Sequence, residues 1–182
     1  MRRVLLPTAA LCLTLPALAQ TPGGYAGQQT CEIKALSAQE QADLLAGRGM
    51  GLARAGELNH RPSPAHALEL RGKLGLTPDQ LAAVQASFGR MEAAAKPLGA
   101  ELVARERAMG AAFGQGAMTP ARLAEDTSAI GALQSRLPGV HLAAHLEMRA
   151  ILTPQQVAAY DALHGYADGT PPPAHNRHVQ PG

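Results

Sequence analysis

Leu74-Gly75-Leu76-Thr77-Pro78-Asp79-Gln80 and Ile151-Leu152-Thr153-Pro154-Gln155-Gln156 decide how this chain folds, because they write the same helix start twice around one long apolar repeat. In each copy Thr caps a helix and Pro takes the first helical position, where no backbone N–H is needed. Gln three residues after Thr completes a capping box. Leu76 with Leu81, and Leu152 with Val157, supply the hydrophobic staple. One box says only that a helix begins. Two boxes bracketing a continuous periodic stretch predict a helical hairpin.

From Pro78 the apolar positions Leu81, Val84, Phe88, Met91, Ala95, Leu98, Leu102, Met109 and Phe113 advance in heptad steps, a seam of roughly four to five heptads. Pro97 lies inside this seam, which stays in phase on both sides, so a kink is expected there and not a stop. Gly114-Gln115-Gly116 ends the first long helix, and Thr119-Pro120 opens the return helix. Its facing residues are Leu123, Ile130, Leu137, Ala144, Met148 and Ile151, with a second kink at Pro138-Gly139. After Thr153 a short helix carries Val157, Tyr160 and Leu163 and ends at His164-Gly165. Upstream, Ser37-Ala38-Gln39-Glu40 is a third capping box, followed by Leu44, Leu45 and Leu52. Gly47, Gly49, Gly51 and Gly56 cost that helix about 1 kcal/mol each relative to Ala, so packing must hold it. Ser63-Pro64 starts another short helix with His66, Leu68, Leu70 and Leu74, closed by Gly75. The fold class is all-α: a long bent antiparallel helical hairpin with short flanking helices. The return helix is too rich in Gly and Ala to cover all of Val84, Phe88, Met91 and Leu98. The sequence therefore predicts a partly open seam and a homodimer through the long helices.

Residues 1–19 read as a secretory signal: Met1-Arg2-Arg3, an apolar run from Val4 to Leu18, and Ala17-Leu18-Ala19 before Gln20. The expected location is therefore the periplasm. Removing Arg2 and Arg3 lowers the basic count from 16 to 14, equal to the 14 acids, which gives nucleic acid no basic surface to bind. It also leaves Cys31 as the only thiol, a tolerated one on a loose arm. Residues 20–36 read as a disordered arm, 37–166 as the helical domain, and 167–182 as a disordered tail with Thr170-Pro171-Pro172-Pro173, His175 and His178. Five aromatic residues and no Trp leave the core to Leu, Ala, Val and Met.

The chemistry-bearing residues cluster on the return helix. His141 and His145 are one turn apart, with Met148 three residues on, so all three project from one face. Imidazole and thioether donors suit nickel, cobalt, copper or zinc. Counting back from the turns puts His66 at the same height in the bundle as His145 and Met148, with Glu69 and Glu147 as carboxylate partners and His164 near this level. His66, His141, His145 and Met148 are the candidate metal ligands. Glu57-x-x-His60 matches half of a di-iron helix motif but lacks its second copy. No nucleophile elbow, Cys–base pair or paired carboxylates are present, so no catalytic residue is assigned.

The two boxes, with His145-Leu146-Glu147-Met148-Arg149-Ala150 before the second of them and Ala159-Tyr160-Asp161 after it, resemble the Leu-Thr-x-x-Gln family of Spy/CpxP-type periplasmic proteins. The closest pattern is that of the CnrX-type heavy-metal sensors. That resemblance covers roughly residues 37–166 and implies a periplasmic metal sensor or metal-resistance accessory with Met148 as a ligand, working with an inner-membrane signalling partner. In the sensors the histidine stands four residues before that methionine. Here Ala144 holds that place and His145 stands three before. Upstream the sensors carry two His one turn apart, where this chain has only His66. The chaperone branch of the family implies an alternative, an ATP-independent envelope-stress holdase that cradles unfolded periplasmic clients without metal.

Overall fold

The computed structural model describes residues 24–166, and its regular elements are all helical. After a 3-10 turn at Gln28–Thr30 come α1 (Ala38–Leu45), α2 (Arg54–Glu57), α3 (Pro64–Glu69), α4 (Pro78–Gly114), α5 (Pro120–Ile151) and α6 (Pro154–His164). The segment read as a secretory signal and the tail with His175 and His178 lie outside the described residues.

The long pair α4 and α5 forms the expected hairpin. Both helices run unbroken through Pro97 and Pro138. Arg90 on α4 donates to Glu147 on α5 at 2.6 Å, which fixes their register at the height the turn count gives. All three capping boxes form, at Ser37, Thr77 and Thr153. The two Thr boxes do more than cap. The Gln80 amide donates to Gln156 Oε1 at 2.8 Å and the Gln156 amide donates back to Gln80 Oε1 at 2.9 Å. Gln80 also donates to the Ile151 carbonyl at 2.9 Å, and Gln156 to the Leu74 carbonyl at 3.3 Å. Each Gln oxygen still accepts the N–H of its own Thr. A carboxylate could not donate any of these bonds, which is the physical reason for Gln at both positions.

This cross-link predicts a ranking. Thr153→Ala should cost about 1 kcal/mol, the loss of one cap acceptor. Gln156→Ala loses the cap, the bond to Gln80 and the donor to Leu74, so it should cost about 2–3 kcal/mol. Equal losses in urea unfolding would show that the cross-link contributes nothing.

The structure narrows or corrects three expectations. The first is that of a partly open seam. Val84 and Leu98 are buried in apolar clusters to which α1, α3 and α6 contribute, whereas Phe88 is half-buried and lines a cleft of about 730 Å³ with Met91, so the seam is covered on either side of Phe88 and open there. The apolar side chains that do face outward are others, Phe113 and Leu146 among them. The second is that of order beginning at Ser37. Ile33 is buried with Leu44, Ala95, Leu98 and Leu137, and Glu32 pairs with Arg107 at 2.8 Å, so the segment just before α1 is part of the core. The third concerns the short helices. Helix α1 stops at Leu45, and the Gly-rich stretch that follows turns across α4 and α5 before α2, so Leu52 is not on α1. Helix α3 likewise stops at Glu69, and turns carry the chain through Leu74 to Gly75.

Two apolar clusters result. One gathers Ile33, Leu44, Leu98, Leu102, Ile130 and Leu137. The other, beside the Thr boxes, gathers Ala67, Leu74, Val84, Met148, Val157 and Tyr160. His141 and His145 lie on α5 between Leu137 of the first and Met148 of the second, where an uninterrupted apolar stripe would hold the helix as well.

Candidate metal centre

Glu57, the last residue of α2, is the hub. Its side chain is 12% exposed. The Tyr160 hydroxyl of α6 donates to its Oε1. The His66 Nδ1 of α3 lies 3.3 Å from the same oxygen and 3.1 Å from the Tyr160 hydroxyl. The other carboxylate oxygen, Oε2, is buried with no hydrogen-bond partner among the described residues, although the His145 Nδ1 approaches to 3.7 Å. His164 completes the group from the last turn of α6. Its ring lies 5.1 Å from the His66 ring and 4.4 Å from the Tyr160 ring, and it stacks on Tyr166 at 5.4 Å. The His164 Nε2 is also buried and unpartnered among the described residues. One ligand atom each from Glu57, His66 and His164 fall within 4.8 Å of one another.

The local sequence explains how four elements converge. Thr153-Pro154 turns the chain back, so α6 presents Tyr160 and His164 to α3. Tyr160 is fully buried and also accepts the Ser63 N–H at 3.3 Å, locking it to the start of α3. His60 reaches Asp161 at 2.7 Å. Glu57 and His60 thus both clasp α6, and that is what the Glu-x-x-His spacing does here. Gly56 lets α2 lie on α5: a Cβ there would sit 3.3 Å from the His145 ring.

Electrostatics sort the group by role. Burial pushes the Glu57 carboxyl up, but hydrogen bonds from His66 and Tyr160 and the charges of His66 and His145 outweigh it and hold Glu57 below its ordinary value. The hydrogen bond to Glu57 raises His66, against its partial burial. Burial lowers His164, helped by the nearby charge of His66, and keeps its ring neutral with a lone pair to offer. Burial also lowers His141, and raises the Tyr160 hydroxyl so that it stays a donor.

Of the four residues assigned from sequence, the structure brings two, His66 and His145, to the Glu57 hub. His145 donates from Nδ1 to the Arg61 carbonyl at 2.7 Å, a bond that orients its ring beneath Glu57. His141 lines the same cleft one turn away, 3% exposed. Met148 is fully buried in the apolar cluster around Val84 and Val157. Glu147 faces outward to Arg90. The sequence reading missed Glu57 as the carboxylate and Tyr160 as its donor, and placed His164 only by height. The signal for Glu57 was the Glu-x-x-His spacing, set aside because no second copy accompanies it.

The donor chemistry fits a transition metal. Two imidazoles and a carboxylate converge, and two of their buried polar atoms lack partners among the described residues. A family model for heavy-metal resistance matches residues 42–159, from within α1 to within α6. The chain belongs to the heavy-metal resistance family. No curated protein and no solved structure matches it. The match takes in Glu57, His66 and His145, while Tyr160 and His164 stand just beyond it.

Proposed function

We propose that this chain is an exported metal-binding protein that holds a divalent transition ion, nickel, cobalt, copper or zinc, through Glu57, His66 and His164, and serves as a metal sensor or resistance accessory in the periplasm. The observation that carries this reading is the convergence of those three side chains within 4.8 Å, drawn from three separate helices. Chance acidic clusters are usually solvent-exposed and local in sequence, whereas this one is half-buried and joins residues about a hundred positions apart. His145 and Tyr160 act on Glu57 as positioning residues, since each contacts the carboxylate. Membership of the heavy-metal resistance family supports the same reading. A holdase role draws no comparable support, because the seam residues Val84 and Leu98 are buried within the chain itself.

Metal titration by calorimetry tests it. A stoichiometric divalent ion should bind, and His66→Ala or His164→Ala should each weaken it by roughly 10–100-fold. Truncation after Tyr166 should leave the affinity intact, separating the cluster from the His175 and His178 tail. The pH dependence has a definite sign. His66 is raised above 6.5 by Glu57, so its proton must leave before the metal can bind. Affinity should therefore fall as pH drops through that raised value, with protons released on binding. Binding that survives both His substitutions and is lost only with the tail would overturn the assignment.

A further inference from the structure

We propose that Tyr166 is the lid of the Glu57 cluster, a ring that must swing aside before an ion can reach His164, and that it sets how fast the ion enters and leaves. This rests on the metal site proposed above, and experiment can tell the failure of one from the failure of the other.

The cluster is only partly open to the cleft beside it. Glu57 and His66 line that cleft of about 730 Å³, and so does Tyr166, whereas His164 is not among its lining residues. The Tyr166 ring lies on His164 with centroids 5.4 Å apart and planes 14° from parallel, so the tyrosine stands between that imidazole and the open space. Two polar atoms of the cluster are sealed accordingly. Glu57 Oε2 and His164 Nε2 are both buried, and neither has a hydrogen-bond partner among the described residues. An ion that is to meet them needs a neighbour to move.

Of the rings packed on His164, Tyr166 is the one free to do so. Tyr160 is fully buried and tied to Glu57 and to the Ser63 N–H. His66 is fixed on α3 by its bonds to Glu57 and the Tyr160 hydroxyl. Tyr166 is half-buried and lies past the end of α6, where Gly165 turns the chain at φ +72, a conformation that suits glycine. Two backbone bonds close this turn in the Schellman manner, from the Tyr166 N–H to the Asp161 carbonyl at 2.8 Å and from the Gly165 N–H to the Ala162 carbonyl at 3.3 Å. They hold the Tyr166 backbone over the cluster and leave its side chain to turn about χ1. Burial first, and then the charge and hydrogen bonding of Glu57, raise the Tyr166 hydroxyl above its ordinary value, so the lid leans on the carboxylate that the ion needs.

Rates test the lid, with Ni(II) as the probe. The full chain carries His175→Ala and His178→Ala, which remove the imidazoles of the tail. Stopped-flow mixing with Ni(II) reads entry, and mixing the loaded chain with excess coloured chelator reads release. Tyr166→Ala should raise both rate constants by roughly tenfold or more and leave their ratio within about threefold, because a lid closed over empty and filled sites slows passage both ways. Tyr166→Phe keeps the ring and should hold both rates within about threefold of the wild type. A residue that only steadied α6 would change release and leave entry alone. Ni(II) binding in which Tyr166→Ala leaves entry unchanged, or in which Tyr166→Phe is as fast as Tyr166→Ala, overturns the lid and leaves the metal site standing. No Ni(II) binding to the wild-type cluster overturns both.

Discussion

Gly99→Ala should destabilise the protein by about 1–3 kcal/mol, although Gly→Ala inside a helix ordinarily gains about 1 kcal/mol. The reason is the crossing of α1 over α4. A Cβ on Gly99 would lie 2.1 Å from the Leu44 carbonyl oxygen and 2.7 Å from its carbon, both backbone atoms that no rotamer change can move. Either α1 lifts off α4, exposing Leu44 and Ile33, or α4 distorts. Gly89, on the same helix, has nothing within 4 Å of its would-be Cβ. Gly89→Ala should therefore stabilise by up to about 1 kcal/mol, giving the two substitutions opposite signs in urea unfolding. The same sign in both would mean that the crossing is not as close as described.

The other large effect centres on Tyr160. It is fully buried, and truncating such a ring costs about 3–5 kcal/mol, so Tyr160→Ala should remove a large part of the fold's stability. It should also cut the tie between α6 and Glu57, taking His164 out of the cluster. Metal that stabilises the wild type by mass action should then add little to the melting temperature of the variant. Tyr160→Phe separates the two roles. It keeps the ring and should cost only about 1–2 kcal/mol, while Glu57 loses its strongest neutral donor. Retained metal stabilisation in Tyr160→Ala would break the link between α6 and the site.

What the sequence made legible was whatever is local or periodic. Thr77, Thr119 and Thr153 cap their helices as read, since a cap is settled within four residues. The Val84–Met91–Leu98 seam and its partners Ile130 and Leu137 followed from periodicity alone. Periodicity reports which face of a helix is apolar but not what covers it. The covering of Leu98 by Ile33 and α1 was invisible for that reason. Met148 illustrates the same limit: its position on the apolar face fitted both a ligand and a core residue, and the structure buries it among Val84, Leu152 and Val157. The site proved harder still. Glu57 lies in a Gly-rich stretch with no repeat to fix its direction, and the meeting of Glu57 with Tyr160 depends on turns a hundred residues apart.

The reciprocal amide pair of Gln80 and Gln156 also has a dynamic consequence. Each Gln caps its own helix and holds the other, so neither helix start can fray while its counterpart stays formed. The first turns of α4 and α6 should thus open as one unit, their amide protons exchanging with solvent through a common event instead of two independent ones. Because α6 carries His164, an ion held at its far end restrains an opening seated at the base of the long hairpin, and occupancy of the cluster becomes readable as slowed exchange at Gln80.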